Sequence, residues 1–216
     1  MKKQSEEKYM KWDTGIRKKQ FMHWSVNAPD VVQRRNDWPE EIGKYNENNL
    51  VYLDESGINI DLTRLYGWGK NGERVVDKTP LNTPKNTTIL SSIRLGGSCA
   101  YTTYSGGTTK EKFMDYLEHI LFPTLRENDI VIMDNMKTHR AKVVKDLAER
   151  MNIHILYLPA YSPDLNPIEK MWSKIKSILR KLKTRTVEEL KIAVDTAFKE
   201  ISISDCRSWF NSCKTG

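Results

Sequence analysis

Residues 158–176 read LPAYSPDLNPIEKMWSKIK, and this stretch changes character twice along its length. Ile153 to Leu158, which lead into it, are apolar enough for a buried strand. Pro159 and Pro163 then bound a loop. Asn166-Pro167 suits a helix start, with Asn as cap and Pro at the first helical position. Ile168, Met171, Trp172, Ile175, Leu179 and Leu182 follow as one apolar stripe at helical spacing. Strand, loop and amphipathic helix in direct succession are an α/β pattern, and Glu169 stands in the first turn of the helix.

The flanking sequence repeats the pattern. Upstream, Ile130-Val131-Ile132-Met133 is a strand run that ends on Asp134, and Val143, Leu147 and Met151 mark a helix after it. Further back, Thr108 and Glu111 have capping-box spacing before Phe113, Leu117, Ile120 and Leu121, with Pro123 closing that helix. Leu50-Val51-Tyr52-Leu53 is another strand run, ending on Asp54. Ile58 to Leu62 reads as the start of a second strand, Asn71-Gly72 as a turn, and Thr87 to Ile93 and Cys99 to Tyr104 as strands joined through Gly96-Gly97. Asp30 to Glu41 suits a short helix ending before Gly43. Downstream, Thr186 and Glu189 form a capping box, and Leu190, Ala193, Val194, Ala197 and Ile201 give a last helix its stripe. Hairpins, then alternating strand and helix, then two helices predict a mixed sheet with helices on its faces. Residues 49–216 form the predicted domain, and residues 1–48 a basic N-terminal arm or linker.

A chain of 216 residues can bury one good-sized core, and 38% hydrophobic with 29% charged residues is a globular composition. No apolar run reaches the roughly 18–20 residues that cross a bilayer, so no membrane partner and a cytoplasmic location are expected. Cys99, Cys206 and Cys213 are too scattered for a disulfide framework or a zinc site, and His23, His119, His139 and His154 lack paired metal spacing. The net charge of +7 suits a polyanionic partner such as DNA. The arm carries Lys2, Lys3, Lys8, Lys11, Arg17, Lys18 and Lys19, with Trp12, Phe21, Trp24 and Trp38 spaced among them. It can contact phosphates, or pack its aromatics on the domain.

The acids carry the chemistry. Asp54 and Asp134 each end an apolar strand, and ligand sites in open α/β sheets lie beyond the carboxyl ends of strands. Each acid taken alone also has a structural explanation, as a turn cap or as a charge favoured at a helix N-terminus. Gathered in one place, three carboxylates repel unless cations sit between them. Hard oxygen ligands suit Mg²⁺ or Mn²⁺. Two such ions about 3.5–4 Å apart can activate an attacking hydroxyl and stabilise a leaving oxygen in phosphoryl transfer.

Thirty-four residues separate Asp134 from Glu169. With YLDESG around Asp54, VIMDNMKTH around Asp134 and SPDLNPIE before W-x-x-x-K, the chain resembles the catalytic domain of mariner-superfamily transposases, in particular their bacterial insertion-sequence branch. RLYGWGKNGER (64–74) and YSGGTTKEKF (104–113) fit the same branch, and the resemblance runs from about Val31 to Lys183. It implies a ribonuclease H-like fold and an Asp-Asp-Glu triad of Asp54, Asp134 and Glu169 holding two Mg²⁺ ions, with Mn²⁺ as substitute. It also implies hydrolysis of DNA at transposon ends, 3′-hydroxyl attack on target DNA, a homodimer on DNA, and a nucleoid-associated protein in a bacterium. Asn135 and His139, just after Asp134, are candidates for orienting substrate. Lys170 and Lys174 on the Glu169 helix are candidates for phosphate contact, with Lys176, Arg180, Lys181, Lys183 and Arg185 extending the basic strip. Glu55 is expected to point away from the triad, Asp164 to be a turn residue, and Trp172 to be core.

Members of that superfamily carry paired helix-turn-helix modules ahead of the catalytic domain, and the 48 residues before the first catalytic strand do not show two. Sequence-specific binding is therefore expected to be weak, with a separate upstream DNA-binding polypeptide as a candidate partner. The alternative is a non-catalytic DNA-binding or assembly remnant of a transposase.

Overall fold

The computed structural model describes residues 27–64, 66–70, 72–80, 86–136 and 142–214. The arm residues 1–26, Asn71 of the expected turn, and His139 lie outside them.

Five strands make one sheet: β1 (Leu50–Ile58), β2 (Thr87–Arg94), β3 (Tyr101–Ser105), β4 (Ile130–Met133) and β5 (His154–Tyr157). Their order is β3-β2-β1-β4-β5. β1, β2 and β3 pair antiparallel, whereas β1–β4 and β4–β5 are parallel, so the sheet is mixed, as predicted. The helices are α1 (Pro29–Ile42), α2 (Lys110–Tyr116), α3 (Lys142–Arg150), α4 (Ile168–Leu182), α5 (Val187–Lys199) and α6 (Ile203–Ser212).

Alternation along the strands divides the core in two. Leu50 and Tyr52 of β1, with Ile130 and Ile132 of β4, pack against Ile168, Met171, Trp172, Ile175 and Leu179 of α4 and against residues of α5 and α6. Trp38 of α1 joins that layer, within the stretch assigned to the arm. Val51 and Leu53, with Val131 and Met133, face Phe113 and Tyr116 of α2 and Val144 and Leu147 of α3. The central strands are thus apolar on both faces, and their sequences read as unbroken apolar runs.

Some elements depart from the sequence reading. β1 does not end on Asp54 but continues to Ile58, because Asp54 to Ile58 pair antiparallel with Ser91 to Thr87. Ile58 is therefore the end of a strand, and residues 59–64 carry no second one. The cap of α2 is Thr109, whose hydroxyl accepts from Lys112 N–H; Thr108 donates instead to Glu55. Past α2 a π-helical turn, Leu117–Leu121, runs into a short 3₁₀ turn containing Pro123. The apolar face of α3 is Val144, Leu147 and Ala148, and Met151 is exposed beyond its end. Three helices close the chain rather than two: α6 opens on a full capping box, Ser202 with Asp205. The Thr186–Glu189 box is present on α5 as expected.

Candidate active site

The register of β1 and β4 builds the site. Leu50 lies opposite Ile130, Val51 opposite Val131 and Tyr52 opposite Ile132. Asp54 follows Tyr52 by two residues along β1, and Asp134 follows Ile132 by two, just past the end of β4, so the two keep the parity of that pair. Both therefore belong to the face covered by α4, whose first turn carries Glu169. All three acids line one cleft of about 420 Å³, together with Asn135, Leu158 and residues 159–163 of the loop before α4.

Asp54 and Asp134 are half-buried, and Asp54 is held from the α4 side. Its Oδ2 accepts a hydrogen bond from the indole Nε1–H of Trp172, at 3.0 Å. Burial pushes its carboxyl up to about 7, and the negative charges of Glu169 and Asp134 add to that. The Glu55 backbone N–H and the Trp172 indole pull in the opposite direction. Asp134 Oδ1 accepts from Met136 N–H at 3.1 Å, a local turn at the strand end. Glu169 stands at the rim, exposed as a residue; partial burial of its carboxyl raises its pKa, Lys176 opposes this, and Asp134 adds to it.

Neighbouring residues fix the walls. Asn135 lines the cleft and donates from Nδ2 to the Leu158 carbonyl at 2.7 Å, tying the end of β4 to the loop after β5. Asn166 Oδ1 accepts from Ile168 N–H, and its carbonyl accepts from Glu169 N–H, so the Asn-Pro pair sets the first turn of α4. Asp164 is gripped by Arg35 of α1 at 3.0 and 2.6 Å, and Arg35 also reaches Ser162 Oγ at 2.7 Å. Asp164 is thus a loop-fastening residue. Glu55 has the opposite parity, and Thr108, just ahead of α2, donates to it at 2.6 Å.

Lys170 and Lys174 are not brought to the cleft. Both line a separate shallow depression on the other side of α4, with Lys181, Asp205 and Trp209. The Lys174 ammonium is bound to Asp205 at 2.6 Å and to the Glu200 carbonyl at 2.7 Å, so it fastens α6 to α4. Trp172 is core, as expected, and its hydrogen bond to Asp54 is the contact that sequence reading did not anticipate. Its spacing three residues after Glu169 was the available signal, because such residues share a helix face.

The donor set suits a hard divalent cation: carboxylate oxygens, with no thiol or imidazole among the described lining residues. Among the described residues no three acid, His or Cys side chains close into a ready-made cage. An open cleft is in keeping with Mg²⁺, which keeps waters and shares its coordination between a few carboxylates and substrate phosphates.

A mixed five-stranded sheet in this order, with helices on both faces, is the ribonuclease H-like fold. The structure matches the catalytic domain of Mos1 mariner transposase with a TM-score of 0.63 at 19% identity, over 91% of this chain and 93% of that one. It matches the Mos1 mariner paired end complex with Mn at 0.78 and 18%, over 94% of this chain and 65% of the other. Within that fold the chain belongs to the DDE superfamily endonucleases, whose family model matches residues 49–191. Its relatives include the Tcb1 transposase of Caenorhabditis briggsae, 25% identical over 168 residues, 72% of this chain and 61% of the relative. The Tc1 transposase of Caenorhabditis elegans is 31% identical over 71 residues, 33% of this chain and 26% of the relative. The chain thus spans less than two thirds of the length of these curated relatives. Among the described residues no helix is long and apolar enough to cross a membrane.

Proposed function

We propose that this chain is the catalytic domain of a DNA transposase of the bacterial insertion-sequence kind, cutting transposon ends and joining the freed 3′-hydroxyl to target DNA. The observation that carries the proposal is the convergence of Asp54, Asp134 and Glu169 on one cleft, beside the parallel pair β1 and β4 at the centre of the sheet. These three residues would hold two Mg²⁺ ions, with Mn²⁺ as substitute. Such ions lower the pKa of an attacking water or hydroxyl and stabilise the leaving oxygen. The chain contributes the placement. The strand register fixes the two aspartates relative to each other, and the Asn166-Pro167 turn aims the glutamate. The loop that Arg35 fastens walls the cleft on one side. Attack by water or by a DNA 3′-hydroxyl needs no Ser or Tyr nucleophile, and no covalent protein–DNA intermediate forms. Two transposon ends must be brought together, so a homodimer on DNA fits the reaction, and an upstream DNA-binding polypeptide would supply sequence recognition. The test is nicking of supercoiled plasmid and joining of pre-cleaved ends with Mg²⁺ or Mn²⁺. Salt-sensitive DNA binding with neither reaction would favour the non-catalytic remnant instead.

The burial of Asp54, with the neighbouring acids adding to its effect, makes a prediction about the metal-free protein. An acid whose folded pKa is raised contributes stability that is present below its unfolded value and lost as pH rises through the folded one. For Asp54 the window runs from about 4 to about 7. In chelator, Asp54→Asn is therefore expected to be more stable than the parent at pH 8, by about 1–3 kcal/mol, with the difference gone at pH 4. Added Mg²⁺ is expected to raise the melting temperature of the parent and not that of the variant. Thermal melts at the two pH values check both statements.

A further inference from the structure

We propose that Trp172 is a positioning residue for the Asp54 carboxylate, holding it in the orientation from which it binds metal. This rests on the metal-binding reading of the three acids. Trp172 is 3% exposed and packed in the α4 layer of the core, so its ring cannot turn without opening that layer. An indole nitrogen can only donate. Here it donates to Asp54 Oδ2 at 3.0 Å, across 118 positions of sequence. A charge-assisted bond from a rigid donor fixes the rotation of the carboxylate and takes up one of its lone-pair directions. Trp172 also stands three residues after Glu169 on one rigid helix, so the same bond sets the strand acid against the helix acid. Partners that orient ligating groups in this way typically account for about 10- to 100-fold in metal affinity.

The core role of the ring and the positioning role of its N–H separate in Trp172→Phe, which keeps the aromatic burial and lacks the donor. Mn²⁺ is titrated into the chelator-stripped full chain, with free Mn²⁺ read by electron paramagnetic resonance. The expected result is affinity weakened by about tenfold or more in the variant, while its melting temperature in chelator stays close to that of the parent. A folded variant that binds Mn²⁺ as the parent does overturns the positioning role and leaves the metal reading standing. A parent that binds no Mn²⁺ removes both. A second measurement does not depend on that variant folding: the parent has six tryptophans, each with one indole N–H signal. Asp54→Ala is expected to move one of these signals in the metal-free protein, and Mg²⁺ to move the same signal in the parent. If Asp54→Ala leaves every indole signal in place, the proposal is wrong.

Discussion

Asp134→Asn is expected to abolish metal-dependent DNA cleavage and joining, lowering the rate by about 10³-fold or more. That corresponds to about 4 kcal/mol of transition-state stabilisation. The substitution replaces an anionic ligand with a neutral amide of nearly the same shape. The amide oxygen can still accept from Met136 N–H, as Asp134 Oδ1 does, so the turn after β4 should persist. Asp54 and Asp134 each stand two residues beyond the paired Tyr52 and Ile132, and on the proposed reading two ions shared among three acids would not be held once one of the two aspartates is uncharged. Single-turnover nicking of supercoiled plasmid in Mn²⁺ measures the effect. Residual activity within tenfold of the parent would show that Asp134 is not a metal ligand.

Arg94→Ala is expected to cost about 3–5 kcal/mol of folding stability, the loss typical of breaking a buried ion pair from one side. Arg94 ends β2 and Asp129 precedes β4; their side chains are 8% and 1% exposed and meet at 2.6 Å. Arg94 also donates to the Thr124 carbonyl at 3.0 Å, and Arg126 N–H donates to the same Asp129 oxygen at 2.6 Å. Among the described residues the other oxygen, Asp129 Oδ1, is buried with no partner. Removing the guanidinium therefore leaves a buried charge held by one backbone N–H. Against a total stability of about 5–15 kcal/mol this is a large fraction. Replacing both partners, as in Arg94→Met with Asp129→Leu, should cost much less, because no charge is then stranded. Urea unfolding of the parent, single and double variants checks the order. A single variant within about 0.5 kcal/mol of the parent would mean that the pair is solvated in solution.

The fold class was legible because the strands beside the site are apolar on both faces and the helices on one. Leu50 to Leu53 and Ile130 to Met133 look alike in sequence for the same reason that they pair at the centre of the sheet. Their pairing itself could not be read. It joins residues 80 positions apart, and nothing local encodes which strand lies beside which. That register brings the stretches that carry Asp54 and Asp134 side by side; Asp134 does follow a strand end, whereas β1 continues four residues past Asp54 because β2 extends its pairing. Lys174 shows the effect of a missed element. Lys174 reads as a free cation on an exposed helix face until α6 is seen to deliver Asp205 to it. The signal for α6 was present in the Ser202–Asp205 capping box, but its apolar stripe is thin, with Cys206 and Phe210 as its buried residues. Trp172 shows the opposite limit. Its burial follows from the stripe, whereas the bond from its N–H to Asp54 depends on how α4 lies across β1.

The most direct test of the metal-binding triad is the anomalous difference map of crystals grown with Mn²⁺. The expected result is density between Asp54, Asp134 and Glu169, with carboxylate oxygens at about 2.1 Å. Ions bound elsewhere on the surface, with that cleft empty at saturating Mn²⁺, would contradict it.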